Sequence, residues 1–321
     1  MKFKLKKWIV TIVLLIGFVT LAISNGHGVS LSNQIGSGFY LTYVNSQSKS
    51  TTESPNVTSQ IPPDLRINST NALLMDLESG AILFDKNGTT KIYPASMVKI
   101  MTALVVIEHI DNLYEKVLLR EGIFQPIHAA NATTAGFLPG EMVRAIDLLY
   151  GLLLPSGAEC AIGLAEYVAG SEKAFVSLMN DKAREIGMSG SHFTNTTGLH
   201  DRSQYSTAMD MAVLLRYALE NDTFYRVITS ASHSTASTNR RNDGITFHST
   251  LFSRMGSPIF DGGMILGGRT GFTSEAGQCL ASFAIIDGRK YILITSGAAG
   301  NNRTQTLHID DAFAVYTAII R

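Results

Sequence analysis

Between Met97 and Ile110 the chain carries Lys99 and Glu108 as its only formal charges, in a run dominated by Met, Val, Ile, Ala and Leu. A helix that is apolar on most sides must be covered on most sides. This segment therefore calls for a domain with several layers of structure around it. The composition can supply them, because 45% of the 321 residues are hydrophobic and 16% charged, against roughly 25% charged in typical soluble proteins. That length suits one large domain or two small ones. Twenty-six Lys and Arg balance twenty-six Asp and Glu, which is not the electrostatic footprint of a nucleic-acid binder, so DNA and RNA are not expected partners. Two cysteines, Cys160 and Cys279, lie in no CxxC pair and no cluster with His, and are expected as small buried residues rather than a disulfide framework.

Residues 1–28 are expected to stand outside the fold. Lys2, Lys4, Lys6 and Lys7 precede the apolar stretch Trp8 to Ile23, and no further Lys, Arg, Asp or Glu appears until Lys49. This is the pattern of an export signal. The stretch is longer than a usual secretory core and just short of the ~20 residues that span a bilayer. Ala22-Ile23-Ser24 offers a cleavage site, so release and retention as a membrane anchor both stay open. With the lysines on the cytoplasmic side, everything after Ile23 is expected outside the cytoplasm. Residues 29–64 are rich in Ser, Thr, Asn, Gln and Gly and end at Pro62-Pro63, which marks a flexible linker. The domain is expected over 65–321.

Within it, Asn71 to Asp76 and Ala81 to Phe84 flank the turn residues Glu78-Ser79-Gly80, a predicted hairpin. Gln278 to Ile286 and Lys290 to Thr295 surround Asp287-Gly288, a second one. Between them the periodicity predicts helices over Arg144 to Leu154, Cys160 to Val168, Glu172 to Ile186 and Met209 to Leu219, and Thr304 to Ile320 closes the chain as another. Strands at both ends around a helical insert predict an α/β (α+β) fold. One antiparallel sheet is assembled from distant segments and flanked by helices, with a mostly helical lobe between.

Chemistry is to be sought where local rules are broken. An ammonium inside the apolar helix costs several kcal/mol unless it is paired or neutralised, which singles out Lys99. Ser96 stands three residues earlier on the same helical face, just after Pro94-Ala95, where a helix N-terminus is expected. A hydroxyl there can be deprotonated by an amine whose pKa desolvation has lowered. Serine is also an ordinary helix cap, and Ser46-Gln47-Ser48-Lys49 repeats the same spacing in the polar linker, so the tetrad alone decides nothing. Ser156 follows the apolar run Leu152-Leu153-Leu154-Pro155, in a loop between two expected buried helices. Further on, Gly267-Gly268-Arg269-Thr270-Gly271-Phe272-Thr273 combines a cation and hydroxyls with glycines that let another chain come close to a strand. A plain surface turn is the simpler reading of that segment.

The ordered set Ser96-Met97-Val98-Lys99, Ser156-Gly157-Ala158 and Arg269-Thr270-Gly271 resembles the low-molecular-weight penicillin-binding proteins that act as serine D-alanyl-D-alanine carboxypeptidases. The resemblance covers roughly residues 67–321. It extends to Ile100-Met101-Thr102-Ala103-Leu104, Asp147 to Gly157, Leu178-Met179-Asn180, Tyr205-Ser206-Thr207-Ala208 and Gly271 to Gly277. Two positions depart from the family pattern. Ala158 stands where a side-chain amide is usual, and Arg269 where the family has lysine; Arg keeps the charge but brings a planar fork of donors and cannot act as a base.

By position, the resemblance implies Ser96 as the acylated nucleophile, Lys99 as its general base and Ser156 as a proton relay to the leaving amine. It also implies that Arg269 and Thr270 hold the substrate's terminal carboxylate, that Gly271, Phe272 and Thr273 bind substrate beside them, and that the backbone N–H groups of Ser96 and Phe272 form the oxyanion hole. The implied substrate is a peptidoglycan stem peptide or its precursor, and β-lactams are implied covalent inhibitors. No cofactor and no metal are expected, and the eight histidines include no HExxH. The chain between Glu159 and Tyr225 also lacks the E-x-x-L-N loop expected of a class A β-lactamase, which stays a second reading on the same fold. A non-catalytic penicillin-sensing or wall-binding module is the third.

Overall fold

The computed structural model describes residues 61–62, 65–301 and 304–319. The expected export segment 1–28, nearly all of the expected linker 29–64, and Ser46 lie outside the described residues.

Strands β1 (Asn71–Asp76) and β2 (Ile82–Lys86) form the first hairpin, and a 3-10 turn at Ala95–Met97 runs into helix α1 (Val98–His109). Then come β3 (Lys116–Leu118), α2 (Phe124–Ala129), β4 (Met142–Arg144), α3 (Ala145–Leu153), α4 (Ala158–Ala169), α5 (Glu172–Glu185), α6 (Ala208–Ala218) and α7 (Asp222–Ile228). Short elements follow: β5 (Ser232–Ser234), β6 (Thr246–His248), α8 (Phe252–Met255) and β7 (Ile259–Phe260). The chain ends with the long strands β8 (Gly263–Thr273), β9 (Gly277–Ile286) and β10 (Arg289–Ala298), and helix α9 (Leu307–Ala318).

The main sheet has six antiparallel strands in the order β2-β1-β10-β9-β8-β7, so the first hairpin pairs with the last strands through β1 and β10. This is the predicted sheet assembled from distant segments. Alternation along each strand assigns its two faces. Ala72 and Leu74 of β1, with Leu280 and Ala284 of β9, pack on Ile309, Ala312, Val315 and Tyr316 of α9. Leu73 and Met75, with Ala281 and Phe283, face the helical lobe instead. There α1 is surrounded by α3, α4, α5, α6 and α7. Every residue from Val98 to Val106 is buried, which satisfies the demand its sequence makes. Cys160 and Cys279 are free and buried, as expected.

The predicted helices and hairpins recur with ends shifted by a few residues. The glycine-rich segment before β9 is not a surface turn, because Gly267 to Thr273 is the second half of the strand β8. A Cβ on Gly267 would stand 2.6 Å from the Ile228 carbonyl oxygen, and one on Gly268 2.5 Å from that of Ala281. The lack of side chains that hides this strand from a propensity argument is what lets it pack here.

Helix α9 is tied to the entry of β1 by a single carboxylate. Asp311, 1% exposed, accepts the backbone N–H groups of Asn68 and Ser69, each at 2.7 Å, and also the Asn68 amide and the Ser69 hydroxyl. Removing it leaves buried donors unpaired, and hydrogen bonds to charged acceptors are worth ~1.5–3 kcal/mol each. Asp311→Ala is therefore expected to lower the unfolding free energy by about 3 kcal/mol, and Asp311→Asn by less, in urea titrations followed by circular dichroism. A loss below about 1 kcal/mol for Asp311→Ala would show that α9 docks through its apolar face alone.

Candidate active site

Ser96, Lys99 and Thr102 form a polar stripe at three-residue spacing along the start of an otherwise apolar helix. The stripe faces the segment Asn195 to Gly198, where the Thr102 hydroxyl donates to the Thr196 carbonyl at 2.8 Å and the Lys99 amine donates to that of Thr197. The same amine lies 3.4 Å from Ser96 Oγ, and the Ser156 hydroxyl reaches Ser96 Oγ from the other side at 3.2 Å. Lys99 and Ser156, from two separate motifs, thus converge on one oxygen.

Lys99 is 2% exposed. Burial, and then the positive charge of Arg269, pull its pKa well below the ordinary lysine value of 10.5, against the opposing pull of Glu159, Cys160 and Glu172. Its only hydrogen-bonding partners among the described residues are the Ser96 hydroxyl and the Thr197 carbonyl, neither of them an anion. An amine so held is biased toward the neutral form, which can accept a proton.

The backbone around Ser96 is constrained. Ala95 has φ +47° and Ser156 φ +80°, two of the five non-glycine residues with positive φ among those described. Such conformations persist only where the surroundings over-determine them, and they gather at functional sites. Two glycines let neighbouring backbones close in. A Cβ on Gly198 would stand 2.0 Å from the Ala95 carbonyl oxygen, and one on Gly271 3.0 Å from Ser96 N. Strand β8 therefore passes Ser96 backbone to backbone.

Arg269 is almost fully enclosed, at 1% exposure. Its Nε donates to the Ser96 carbonyl at 3.3 Å, and one terminal nitrogen donates to the Leu153 carbonyl and the Thr250 hydroxyl at 3.2 and 3.4 Å. Burial lowers its pKa to about 9, so it stays cationic at neutral pH. Thr250 and Thr270 share a hydroxyl–hydroxyl contact of 2.8 Å beside it. Arg269 thus fastens β8 to the turn at Ser96 and to the end of α3, besides lining the cavity at Thr270.

Two cavities meet at Ser96, Ser156, Thr133 and Phe272. One, of about 270 Å³, is lined by Thr250, Arg254, Arg269, Thr270 and His308. The other, of about 520 Å³, runs past Lys99 between Asn131–Thr133 and Phe272–Thr273 to His200 and Glu275. His308 takes no charge at neutral pH, since burial and the charge of Arg254 pull its pKa down to about 4. Arg254 and Arg269 therefore make the smaller cavity positive.

At the second motif, Ala158 is 1% exposed and its N–H donates to the Thr133 carbonyl at 2.9 Å. The next residue, Glu159, is fully buried, and its Oε1 accepts the backbone N–H groups of Ala135, Gly136 and Phe137. Together they pin the wall loop at 131–137 against α4.

The sequence-based reading did not single out Thr197, Arg254 or Glu159. Thr197 contributes a carbonyl, which residue type does not disclose; the turn-forming Asn195 and Gly198 on either side were the available signal. Asn195 Oδ1 accepts the Thr197 and Gly198 N–H groups and the Thr197 hydroxyl, which holds that carbonyl toward Lys99. Among the described residues no cluster of His, Cys, Asp and Glu could hold a metal ion.

Comparison with known proteins agrees with this geometry. The D-alanyl-D-alanine carboxypeptidase DacF of Bacillus subtilis is 32% identical over 251 residues, covering 77% of this chain and 62% of its own length. This chain thus spans about three fifths of that relative. The D-alanyl-D-alanine carboxypeptidase of Streptomyces strain K15 is 32% identical over 228 residues, covering 69% of this chain and 77% of the relative. Among solved structures, the Streptomyces K15 DD-transpeptidase superposes with a TM-score of 0.71 at 28% identity, over 79% of this chain and 98% of the other. The D-alanyl-D-alanine carboxypeptidase of Mycobacterium tuberculosis does so with a TM-score of 0.68 at 27% identity, over 79% and 91%. The family model for D-alanyl-D-alanine carboxypeptidases matches residues 55–300, a span that takes in both hairpins, the helical lobe and all three motifs, and on that extent of similarity the chain belongs to the D-alanyl-D-alanine carboxypeptidase family.

Proposed function

We propose that the protein is a serine-type D-alanyl-D-alanine carboxypeptidase that removes the terminal D-Ala from peptidoglycan stem peptides or their precursors through an acyl-enzyme. The observation that carries this is the approach of Ser156 Oγ and Lys99 Nζ to Ser96 Oγ, at 3.2 and 3.4 Å, with the amine buried and paired to no carboxylate. Neutral Lys99 takes the Ser96 proton as Oγ attacks the carbonyl of the penultimate D-Ala. The backbone N–H groups of Ser96 and Phe272 hold the developing oxyanion. Ser156 passes a proton to the leaving amine, and the terminal carboxylate sits in the small positive cavity against Thr270, in the field of Arg269 and Arg254. Water then releases the shortened peptide. A β-lactam would enter the same cleft and stop at the acyl stage. The basic and apolar N-terminal segment supports an extracytoplasmic site of action, where such peptides occur, with the segment either kept as an anchor or cleaved.

Mass spectrometry after incubation with benzylpenicillin tests the reading. A long-lived adduct is expected, absent in Ser96→Ala; rapid turnover would indicate a β-lactamase, and no adduct a non-catalytic module. Lys99→Arg removes the base, because a guanidinium stays protonated, so acylation should fall by about 10²–10⁴; circular dichroism checks that this variant, which brings a fixed charge to a buried place, is folded.

Because Lys99 acts as the base, activity needs that amine deprotonated, and its lowered pKa places that requirement below the ordinary lysine range. The kcat/KM for D-Ala release should rise with pH along a limb lying well below the ordinary lysine value. A limb near that ordinary value, or its persistence in Lys99→Arg, would assign the titration to another group.

Recognition of a free chain end supplies a further test. A peptide ending in D-Ala-D-Ala should be cleaved and its C-terminal amide should not, with Arg269→Lys retaining the discrimination and Arg269→Ala losing most of it. Equal D-alanine and D-alaninamide release by the wild type would remove the positive cavity from carboxylate binding.

A further inference from the structure

The smaller cavity at Ser96 holds a buried nitrogen for which the carboxypeptidase chemistry has no use. His308, at the start of α9, is 2% exposed and lines this cavity with Thr270 and Arg254. Strand register explains how it comes to stand there. Phe272 pairs with Gln278 and Thr270 with Leu280, and paired residues share a face of the sheet. Leu280 packs on α9, so Thr270, Phe272 and Gln278 look toward the same side as that helix. Gln278 in turn fixes the imidazole. Its Nε2 donates to the Asn301 and Gln305 carbonyls at 2.9 and 2.7 Å, and a carbonyl can only accept, so the amide has one orientation and Oε1 is the atom that meets His308 Nδ1 at 2.8 Å. An amide oxygen has no proton to give. Nδ1 must therefore carry the hydrogen, and because burial and Arg254 keep the ring neutral at physiological pH, Nε2 is left as a lone pair. Nothing among the described residues donates to it.

Once a ligand closes the cavity, an acceptor left without a donor costs free energy. The terminal carboxylate cannot supply that donor, being an acceptor itself. Room remains for a group that can, since about 270 Å³ is roughly nine water-sized volumes at ~30 Å³ each, more than a terminal alanine fills. We propose that His308 is a specificity-determining residue for the leaving amino acid, accepting at Nε2 a hydrogen bond from a side-chain hydroxyl of the terminal D-residue, so that peptides ending in D-Ser are preferred to those ending in an apolar residue of the same size. The inference rests on the carboxypeptidase reading and adds to it the chemistry of the departing end. With the carboxylate against Thr270, the side chain of the terminal residue lies in the same cavity that His308 borders. A hydroxyl there gains a partner, whereas a methyl of equal volume strands the lone pair. Sites built on a hydrogen bond reject analogues that lack it for this reason.

The test uses peptides that share Nα,Nε-diacetyl-Lys-D-Ala and end in D-Ala, D-Ser, D-2-aminobutyrate or O-methyl-D-Ser. D-Ser and D-2-aminobutyrate differ by a hydroxyl against a methyl, and the methyl ether keeps the oxygen without a proton to donate. Release of the terminal amino acid is measured with the wild type, His308→Asn and His308→Gln, each checked for folding by circular dichroism. An asparagine amide can take the place of Nδ1 and still serve Gln278 but leaves nothing at the Nε2 position, which a glutamine amide reaches. The wild type should favour D-Ser over D-2-aminobutyrate and over the methyl ether roughly three- to tenfold in kcat/KM, the scale of one net hydrogen bond. His308→Asn should bring the ratio of D-Ser to D-2-aminobutyrate toward one, and His308→Gln should keep part of it. A wild-type ratio of one, equal rates on D-Ser and its methyl ether, or an unchanged ratio in folded His308→Asn overturns this proposal and leaves the carboxypeptidase reading intact. Absence of release from every one of these peptides by folded wild-type protein overturns the carboxypeptidase reading, and this proposal with it.

Discussion

An amine held out of water without an anion to pair with is the constraint around which this domain is arranged. Lys99 stands in the first turn of a helix whose next seven residues are all buried, so among the described residues its charged form finds no carboxylate in hydrogen-bonding contact. What it does find are the Ser96 hydroxyl and the Thr197 carbonyl, both able to receive hydrogen bonds from the neutral amine. Arg269, behind Ser96, pushes in the same direction as burial. Strongly shifted groups of this kind gather at active sites, where a buried amine held neutral can accept a proton.

Much of the geometry around that amine comes from main chain. The Thr197 carbonyl is aimed by Asn195, the approach of β8 is permitted by Gly271, and the seat of Ala95 is permitted by Gly198. Even Ala158, which lacks an amide side chain, contributes through its N–H to Thr133. Arg269 follows the same logic from the side-chain direction, since its donors are directed at carbonyls of the nucleophile's turn and of α3. A lysine has three donors on one atom and could not spread over the Ser96 and Leu153 carbonyls and Thr250 in the same plane.

How much of this was legible in the sequence follows from the kind of signal each part leaves. Buried helices such as α1 and α3 are visible as apolar runs of the right length, and the β9–β10 hairpin is visible through Asp287-Gly288 and its flanking strands. The short pairs β3–β4 and β5–β6 have no such pattern, because three residues do not make a period. Strand β8 was hidden by its glycines, whose fitness for a crowded edge depends on β9 and on Ser96, both remote in sequence. The three motifs could be found by their residue types. Thr197 could not, since any residue has a carbonyl, nor could Arg254, whose place beside His308 and Thr270 is set by the packing of α8.

The left-handed backbone at Ser156 has a consequence for how this protein can change. A non-glycine residue at φ +80° costs on the order of 1–2 kcal/mol relative to glycine, and glycine is the substitution that would relieve it. Selection or engineering for heat resistance alone would thus be drawn to the position where the hydroxyl reaches Ser96, and would tend to trade that hydroxyl for a more durable fold. The serine at 156 thus holds its hydroxyl 3.2 Å from Ser96 at the expense of a backbone conformation that glycine would adopt without strain.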